Sequence, residues 1–409
     1  MSLTTGPARA RLRELPAPLQ LMLMAQLCFN IGFYLVVPFL ADHLEGDLLL
    51  TSATVALILG LRTFSQQGLF FVGGAIVDAV GIRPAITTGC AIRIAGFVVL
   101  GFAESVAGIV TGVLLVGIAA ALFSPAAEAA TSIWAGDVEA AGGPSRTQIW
   151  GLFSLFGQVG ALVGPALGGL LLPVSFRVTT TAAAAVFVIV LLGLALGVPR
   201  EERSGPAPRL RTTLAVAVQR RDVLAFALVN SCALLLYNQL YLALPTELGR
   251  TGAPSGSVTW FFAGAAALTV LGQMAVSRRA AAHSSAAALR VGYAVLAAAP
   301  VPVALVLLFD VGDACRYVAL IAFVALVTLG EMIVLPVARD LVGQMAGASA
   351  AGVCLGLLTT VGGVVVLLVN PLIGALFDLD AAPWAPWLCM AVAPTLAVLA
   401  LPRVVRATR

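Results

Sequence analysis

The chain has 409 residues, of which 60% are hydrophobic and 10% are charged. A soluble domain carries about 25% charged residues, so this composition excludes a soluble globular protein and indicates a chain that lies mostly in a membrane. All 23 basic residues are arginine, and the absence of lysine excludes a lysine-bearing phosphate loop and a lysine Schiff base.

Hydrophobic stretches follow one another along the whole chain, each close to the roughly 20 residues that cross a bilayer as a helix. They predict an all-α integral membrane protein with twelve spans and no large soluble domain. The predicted spans are 17–40, 52–77, 85–103, 106–134, 147–171, 176–199, 223–246, 256–277, 288–308, 315–337, 350–376 and 384–402.

The arginines predict the orientation of these spans. Eighteen of the 23 fall at the termini or in connections that follow even-numbered spans. Basic residues are enriched in cytoplasmic loops, so both termini are predicted to be cytoplasmic, with the chain in the cell membrane. The arginines occupy short loops rather than one basic face, so the expected macromolecular surroundings are the lipid bilayer and not a nucleic acid.

The longest polar connector, which carries six arginines and three prolines, divides the chain near its middle. It predicts an N-terminal half over residues 1–199, a cytoplasmic linker over residues 200–222 and a C-terminal half over residues 223–409.

An internal repeat supports this division. Tyr34-Leu-Val-Val-Pro38 recurs as Tyr241-Leu-Ala-Leu-Pro245, 207 positions later. A second segment, Gly164-Pro165-Ala-Leu-Gly168, recurs as Asn370-Pro371-Leu-Ile-Gly374, 206 positions later. Two matches at nearly the same offset link span one to span seven and span five to span eleven, which predicts a duplication of six spans.

The connection between spans two and three reads Gly73-Gly74-Ala-Ile-Val-Asp78-Ala-Val-Gly81-Ile-Arg83-Pro84. It resembles the loop motif of the major facilitator superfamily, although two further basic residues of the family pattern are absent. The resemblance implies that Asp78 and Arg83 hold the two halves together on the cytoplasmic side, around the turn of Gly74 and Gly81. The alternative is an ordinary arginine-bearing loop with a turn glycine.

Span five contains Gly160-Ala-Leu-Val-Gly164-Pro165-Ala-Leu-Gly168-Gly169. This resembles the antiporter motif of the twelve-helix drug/proton antiporter branch, which implies export. Glycines four apart expose a flat strip of backbone and the proline bends the helix, so the fifth span is expected to rock against the second half. The alternative is that the small residues only pack helices together.

Members of that branch carry a proton-transferring arginine in span four, but the corresponding residue here is Val113. Either another group therefore fills its part in proton transfer, or the coupling differs from that of the branch. Glu331, the only acid predicted to lie deep in a span of the second half, is the first candidate, and Glu128 in span four is another. The alternatives are a structural glutamate at a proline bend for Glu331 and a solvated acid near a helix end for Glu128.

Arg62 lies about ten residues into span two, or about 15 Å along the helix, near the bilayer midplane. A charge there costs about 2.5–3.5 kcal/mol, so Arg62 is predicted to face a cavity or a partner. It is a candidate for proton coupling or for binding an anionic group, and the alternative is an ion pair between helices. Arg93 in span three is predicted to lie nearer the cytoplasmic end in a structural role.

Polar residues in spans one, two and seven are candidates for lining a substrate cavity, because amides and phenols on apolar walls suit a loosely selective pocket. These candidates are Asn30, Tyr34, Gln66, Tyr237, Asn238 and Tyr241.

The resemblance implies a monomeric secondary transporter with alternating access around a midplane site. The function expected from it is proton-coupled efflux of a hydrophobic or amphipathic small molecule, with no metal or other cofactor. One alternative is a proton-coupled symporter that imports a small organic anion through Arg62, and another is a membrane protein that binds or flips lipid. An enzyme is not expected, because the chain has no metal-ligand cluster, no activated nucleophile and no phosphate loop.

Overall fold

A computed structural model describes residues 15–144, 146–198, 220–254, 256–346, 351–379 and 381–407. These residues form helices and connecting turns, with no strand among them. Eleven helical segments within this part are long and apolar enough to cross a membrane, and a twelfth, Ala385–Leu401, is apolar but shorter. The predicted all-helical membrane fold is confirmed.

Twelve helical segments, α1 to α12, follow in chain order. They are α1 (Ala17–Val36, continued to Asp47 by short helical turns), α2 (Ser52–Thr63, a π-helical turn Phe64–Gly68, and Phe70–Val80), α3 (Ile82–Phe102), α4 (Val106–Ala140), α5 (Arg146–Leu171), α6 (Phe176–Gly197), α7 (Arg221–Asn238 and Ala243–Arg250), α8 (Val258–Ala281), α9 (Ser285–Ala298 and Val301–Phe309), α10 (Asp313–Ala346), α11 (Ala351–Phe377) and α12 (Ala385–Ala407).

α1 and α7 are each interrupted near a tyrosine–proline segment. Regular α-helical geometry ends at Val36 in α1, two residues before Pro38, and at Asn238 in α7, seven residues before Pro245. Pro38 lacks the amide hydrogen that would bond the carbonyl one turn earlier, and it lies in the 3₁₀ turn that follows the break in α1. Pro245 instead lies inside the helical segment that resumes at Ala243. The two helices that carry the repeated segment are therefore both broken, but not at equivalent residues.

The pairing of helices in the first half recurs in the second half with an offset of six. In the first half α1 packs against α5 and α6, α3 against α4 and α6, and α2 against α4. In the second half α7 packs against α11 and α12, α9 against α10 and α12, and α8 against α10. The two halves are thus pseudo-symmetric six-helix units.

Two seams join the halves, one between α2 and α11 and the other between α5 and α8. They correspond to each other under the same offset of six helices. We refer to them as the α2/α11 seam and the α5/α8 seam.

Twelve successive crossings bring the first and last helices to one side of the membrane. We call this side, where α1 begins at Ala17 and α12 ends at Ala407, the terminal face. The other side, where α1 connects to α2 and α11 to α12, is the opposite face.

Residues 200–219 of the predicted linker lie outside the described part of the chain. Arg220 at its end donates hydrogen bonds to both carboxylate oxygens of Asp222, at 3.1 and 2.9 Å, and to the carbonyl of Met345 at 2.6 Å. The start of the second half is therefore held to the terminal end of α10.

Candidate functional site

A cavity of about 800 Å³ lies between the halves beside the α5/α8 seam. Gly151 and Ser154, from the terminal end of α5, line it. Towards the opposite face the seam is closed, because the hydroxyl of Thr259 donates a 3.2 Å hydrogen bond to the carbonyl of Pro165. The polar or charged lining residues are Tyr34, Ser154, Gln158, Tyr237, Thr269, Gln273, Thr328, Glu331 and Arg339.

Three tyrosines lie at the deep end of this cavity, where α1 meets α7. The hydroxyl groups of Tyr34 and Tyr237 are 3.0 Å apart, and those of Tyr237 and Tyr241 are 3.2 Å apart. Tyr34 and Tyr237 line the cavity, whereas Tyr241 is 1% exposed and packs behind them. This chain of phenols joins the two halves at mid-depth.

Glu331 lines the cavity from α10, two helical turns from Arg339 on the same helix. The two side chains interact electrostatically. Glu331 is the only acid among the described residues that line this cavity. It is thus the group there that can gain and lose a proton as water reaches it.

Glu128 lies within α4 rather than near its end, because the helix continues to Ala140, six residues beyond the predicted span. Its side chain is exposed and interacts electrostatically with Arg339 of the other half. Arg339 therefore lies in the field of one carboxylate from each half, Glu128 and Glu331.

Arg62 is buried beside the tyrosines and does not line the cavity. It donates hydrogen bonds to Thr63 at 3.0 Å and to Gln66 at 3.4 Å, and its guanidinium lies 5.3 Å from the ring centre of Tyr241. Its Nε has no hydrogen-bond partner, and no carboxylate in the described part of the chain pairs with it. Arg62 is thus a buried cation held by hydroxyl, amide and aromatic groups.

Arg93 lies at the middle of α3, eleven residues after its start at Ile82, and not near one end as predicted. It is completely buried, and its guanidinium is 4.3 Å from the ring centre of Phe29 and 5.1 Å from that of Phe187. Cation–π contacts replace an ion pair there, consistent with the expected structural role.

The other predicted cavity residues lie outside the lining in this conformation. Asn238 is 2% exposed and accepts a 2.6 Å hydrogen bond from Thr63, which joins α7 to α2. Asn30 donates to the carbonyl of Gln26 within α1, and Gln66 accepts from Arg62. These amides bond within and between helices.

Glu247 is a further acid of the second half and lies just beyond residue 246, where span seven was predicted to end. α7 in fact continues to Arg250, and Glu247 is completely buried. It forms ion pairs with Arg250 at 3.6 Å and Arg316 at 3.7 Å. This cluster ties α7 to the start of α10, and none of its three residues lines the cavity beside Glu331.

The loop motif forms the turn between α2 and α3. Gly81 has a φ of 91°, a conformation that favours glycine. α2 ends directly before it and α3 begins directly after it. Arg83 donates to the carbonyl of Ala195 on α6, in its own half. Gly74 has open space where a side chain would be, and the side chain of Asp78 lies outside the described part of the structure.

The glycine strip of α5 mostly faces its own half, contrary to the expectation of a strip against the second half. A Cβ at Gly160 would lie 2.6 Å from the carbonyl oxygen of Leu27, and one at Gly164 would lie 2.9 Å from that of Ile31. Gly168 likewise faces α1. Residues four apart share one helix face, and the neighbouring Gly169 points about 100° away, towards Thr259 of α8.

Several lining residues were not predicted, namely Ser154, Gln158, Thr269, Gln273, Thr328 and Arg339. Two pairs, Ser154 with Gln158 and Thr269 with Gln273, are spaced by four residues in otherwise apolar helices. Such spacing sets both side chains on one face. A search for polar pairs at this spacing in spans five and eight would have found them.

A second cavity, of about 1060 Å³, lies at the opposite face and is also lined by both halves. Its lining includes the acids Asp42, Glu45, Asp47 and Glu104 with the bases Arg177 and Arg250. Glu45 accepts a 3.0 Å hydrogen bond from Thr246 of the other half. This cavity is larger than the one beside Glu331 and is lined by more charged side chains.

The sequence model for the Major Facilitator Superfamily matches residues 22–370. The chain belongs to this superfamily. It is therefore a multi-pass membrane transporter for small molecules, and not an enzyme.

Relatives and solved structures agree with this assignment. The chain is 33% identical over 380 residues to an uncharacterized MFS-type transporter of Mycobacterium tuberculosis (strain H37Rv), covering 91% of this chain and 88% of the relative. It is 26% identical over 387 residues to the multidrug resistance protein MdtH of Escherichia coli (strain K12 / DH10B), covering 93% and 92%.

The fold is similar to those of the nucleoside transporter NupG (TM-score 0.78, 11% identity, 95% of this chain and 100% of that chain) and of a POT peptide transporter in complex with sulfate (TM-score 0.78, 15% identity, 98% of each chain).

Proposed function

We propose that this transporter exports hydrophobic or amphipathic small molecules in exchange for protons. It works by alternating access, as a monomer in the cell membrane with both termini in the cytoplasm. The observation that carries the proposal is Glu331, the only carboxylate among the described residues that line a cavity of otherwise apolar, hydroxyl, amide and phenol groups together with Arg339.

In the proposed cycle, the cavity faces the cytoplasm while Glu331 releases its proton and a substrate enters. The cavity then faces outwards, where a proton returns to Glu331 and the substrate leaves. Intramembrane acids act as proton relays in transporters because their charge depends on access to water. Arg339, on the same helix, attracts the ionised carboxylate, so its interaction with Glu331 changes when the carboxylate binds a proton.

Two further observations support export of this class of compound. Polar groups spaced along apolar walls suit substrates of varied shape rather than one ligand. The similarity to a multidrug resistance protein extends over 93% of the chain.

The test is dye accumulation in inverted membrane vesicles with an imposed proton gradient, acidic inside. We expect Glu331→Gln to lower the gradient-driven dye accumulation at least about tenfold, because the amide cannot carry a proton. The purified variant should still bind the dye. Asp340→Asn is the matched control, since Asp340 is an exposed acid on the same helix that does not line the cavity.

Unchanged driven accumulation in Glu331→Gln would refute the role of this carboxylate. Dye that leaves the vesicles together with protons, instead of entering them in exchange for protons, would refute export.

Buried Arg62 favours one other candidate function, import of a small organic anion together with protons. A cation without a paired carboxylate is a natural partner for an anionic substrate. In right-side-out vesicles, an inward proton gradient would then drive uptake of the anion, and Arg62→Gln would abolish it. The direction of the flux separates the two functions.

A further inference from the structure

The first turn of α2 is completed by a carboxylate from the other half of the protein. Asp378 directly follows α11, and its Oδ1 accepts a 2.9 Å hydrogen bond from the backbone amide of Ser52. Its Oδ2 accepts a 3.0 Å hydrogen bond from the amide of Ala53. Both bonds cross between the halves at the opposite face.

These bonds satisfy amides that a helix cannot pair internally. The first four amides of an α-helix have no intrahelical acceptor. In α2, Thr51 supplies acceptors for Thr54 at 3.3 Å, through its side chain, and for Val55 at 3.0 Å, through its carbonyl. Ser52 and Ala53 depend on Asp378. The cap of α2 is thus divided between the two halves.

Close packing one turn earlier brings α11 into position. Gly374 precedes Asp378 by four residues and shares its helix face. A Cβ at Gly374 would lie 2.5 Å from the carbonyl oxygen of Ser52 and 2.9 Å from the Cα of Ala53. Only glycine allows α11 to approach the first turn of α2 this closely.

We propose that Asp378 is a gating residue of the transport cycle, whose bonds to Ser52 and Ala53 form a latch that closes the opposite face. The latch is made in the conformation described here, in which the α5/α8 seam is also closed towards that face. It must break for the cavity to open there. The proposal rests on the alternating access of the proposed function, but on neither its substrate nor its direction.

The strength of the latch follows from charge. A carboxylate at a helix N-terminus is stabilised by the unpaired amides and by the helix dipole. Opening the opposite face returns both amides and the carboxylate to water. Removing the carboxylate should therefore raise the ratio of open to closed molecules at this face by roughly five- to tenfold.

The experiment measures the distance between spin labels at Val174 and Val311, in the full-length chain with its six native cysteines replaced. These residues lie in opposite-face connections of different halves and are 69% and 55% exposed. We expect Asp378→Ala to shift the distance distribution towards longer separations. Glu104→Ala is the control, because it removes an exposed acid of this face whose ion pair, with Arg177, lies within its own half.

A second pair of variants removes the donor instead of the acceptor. Ser52 is the first helical residue of α2, where proline is tolerated, and Thr51 before it has the extended conformation that proline requires (φ −65°, ψ 150°). Ser52→Pro deletes one latch amide, and Ser52→Ala keeps it while removing the same hydroxyl. We expect a longer separation in Ser52→Pro than in Ser52→Ala.

Distance distributions that match the unsubstituted chain in both Asp378→Ala and Ser52→Pro would overturn the proposal, as would an equal shift in Glu104→Ala. The readout requires no substrate, so it tests the latch even if no dye is transported. Failure of the latch and failure of the proposed export are therefore distinguishable.

Discussion

The two seams between the halves are built from equivalent helices but differ along their length. In the α2/α11 seam, glycines bring the backbones together from the opposite face inwards, at Gly374 against Ser52 and at Gly363 against Gly68. In the α5/α8 seam, Gly169 contacts Thr259 near the opposite face, and the cavity begins beyond that contact.

The side chains along each seam explain the difference. The facing surfaces of α5 and α8 carry Ser154, Gln158, Thr269 and Gln273, which line the cavity. Thr269 and Gln273 also donate hydrogen bonds within the second half, so part of this polar surface already has protein partners. The α2/α11 seam has small residues that allow dry backbone contact. One seam thus brings the backbones of the halves into contact, while the other borders the cavity.

The largest expected effect comes from forcing the α2/α11 seam apart. A Cβ at Gly363 would lie 2.5 Å from the backbone nitrogen of Gly68. Gly363→Leu should therefore lower the free energy of unfolding by about 1–3 kcal/mol or more, because backbone cannot move aside as a side chain can. Thermal unfolding in detergent measures this.

Gly264→Leu on α8 is the matched control for this prediction, since a Cβ there meets no atom within 4 Å. Equal destabilisation by both substitutions would contradict the dry α2/α11 contact.

An intermediate effect is expected in the α5/α8 seam. Gln158→Leu removes an amide from the cavity wall, so we expect the KM for a hydrogen-bonding substrate to rise by about three- to tenfold, the value of one ordinary hydrogen bond. The melting temperature should stay nearly unchanged. A large loss of stability with unchanged KM would mean that Gln158 serves packing instead.

The smallest effect is expected between the seams, where Tyr34 and Tyr237 join α1 to α7 at 3.0 Å. Tyr237→Phe should lower the free energy of unfolding by about 0.6 kcal/mol, the average contribution of an interhelical hydrogen bond in a membrane. A double-mutant cycle with Tyr34→Phe measures the coupling directly. A coupling near zero would show that the phenols do not hold the halves together.

Much of the fold could be predicted because a bilayer imposes length and polarity on every span. The repeats at Tyr34 and Tyr241 correctly indicated equivalent helices, since α1 packs against α5 and α6 as α7 packs against α11 and α12. Helix ends were less predictable, because α4 and α10 extend beyond the apolar stretch by turns that hydropathy does not record.

The candidate site was predictable only in part. Glu331, Tyr34 and Tyr237 line the cavity, whereas Asn238 and Tyr241 are buried between helices. A sequence gives the depth of a residue in its span but not the rotation of the helix about its axis. Small differences in that rotation decide between a cavity wall and a helix contact.

The sequence by itself determined the membrane-spanning fold, the duplication and the presence of a few charges at mid-depth, because these are properties of residue type and spacing. Only the tertiary structure decided that the α5 glycines face α1, that the cavity lies beside the α5/α8 seam, and that Asp378 caps α2. Those features depend on contacts between residues up to 326 positions apart, which local patterns do not encode.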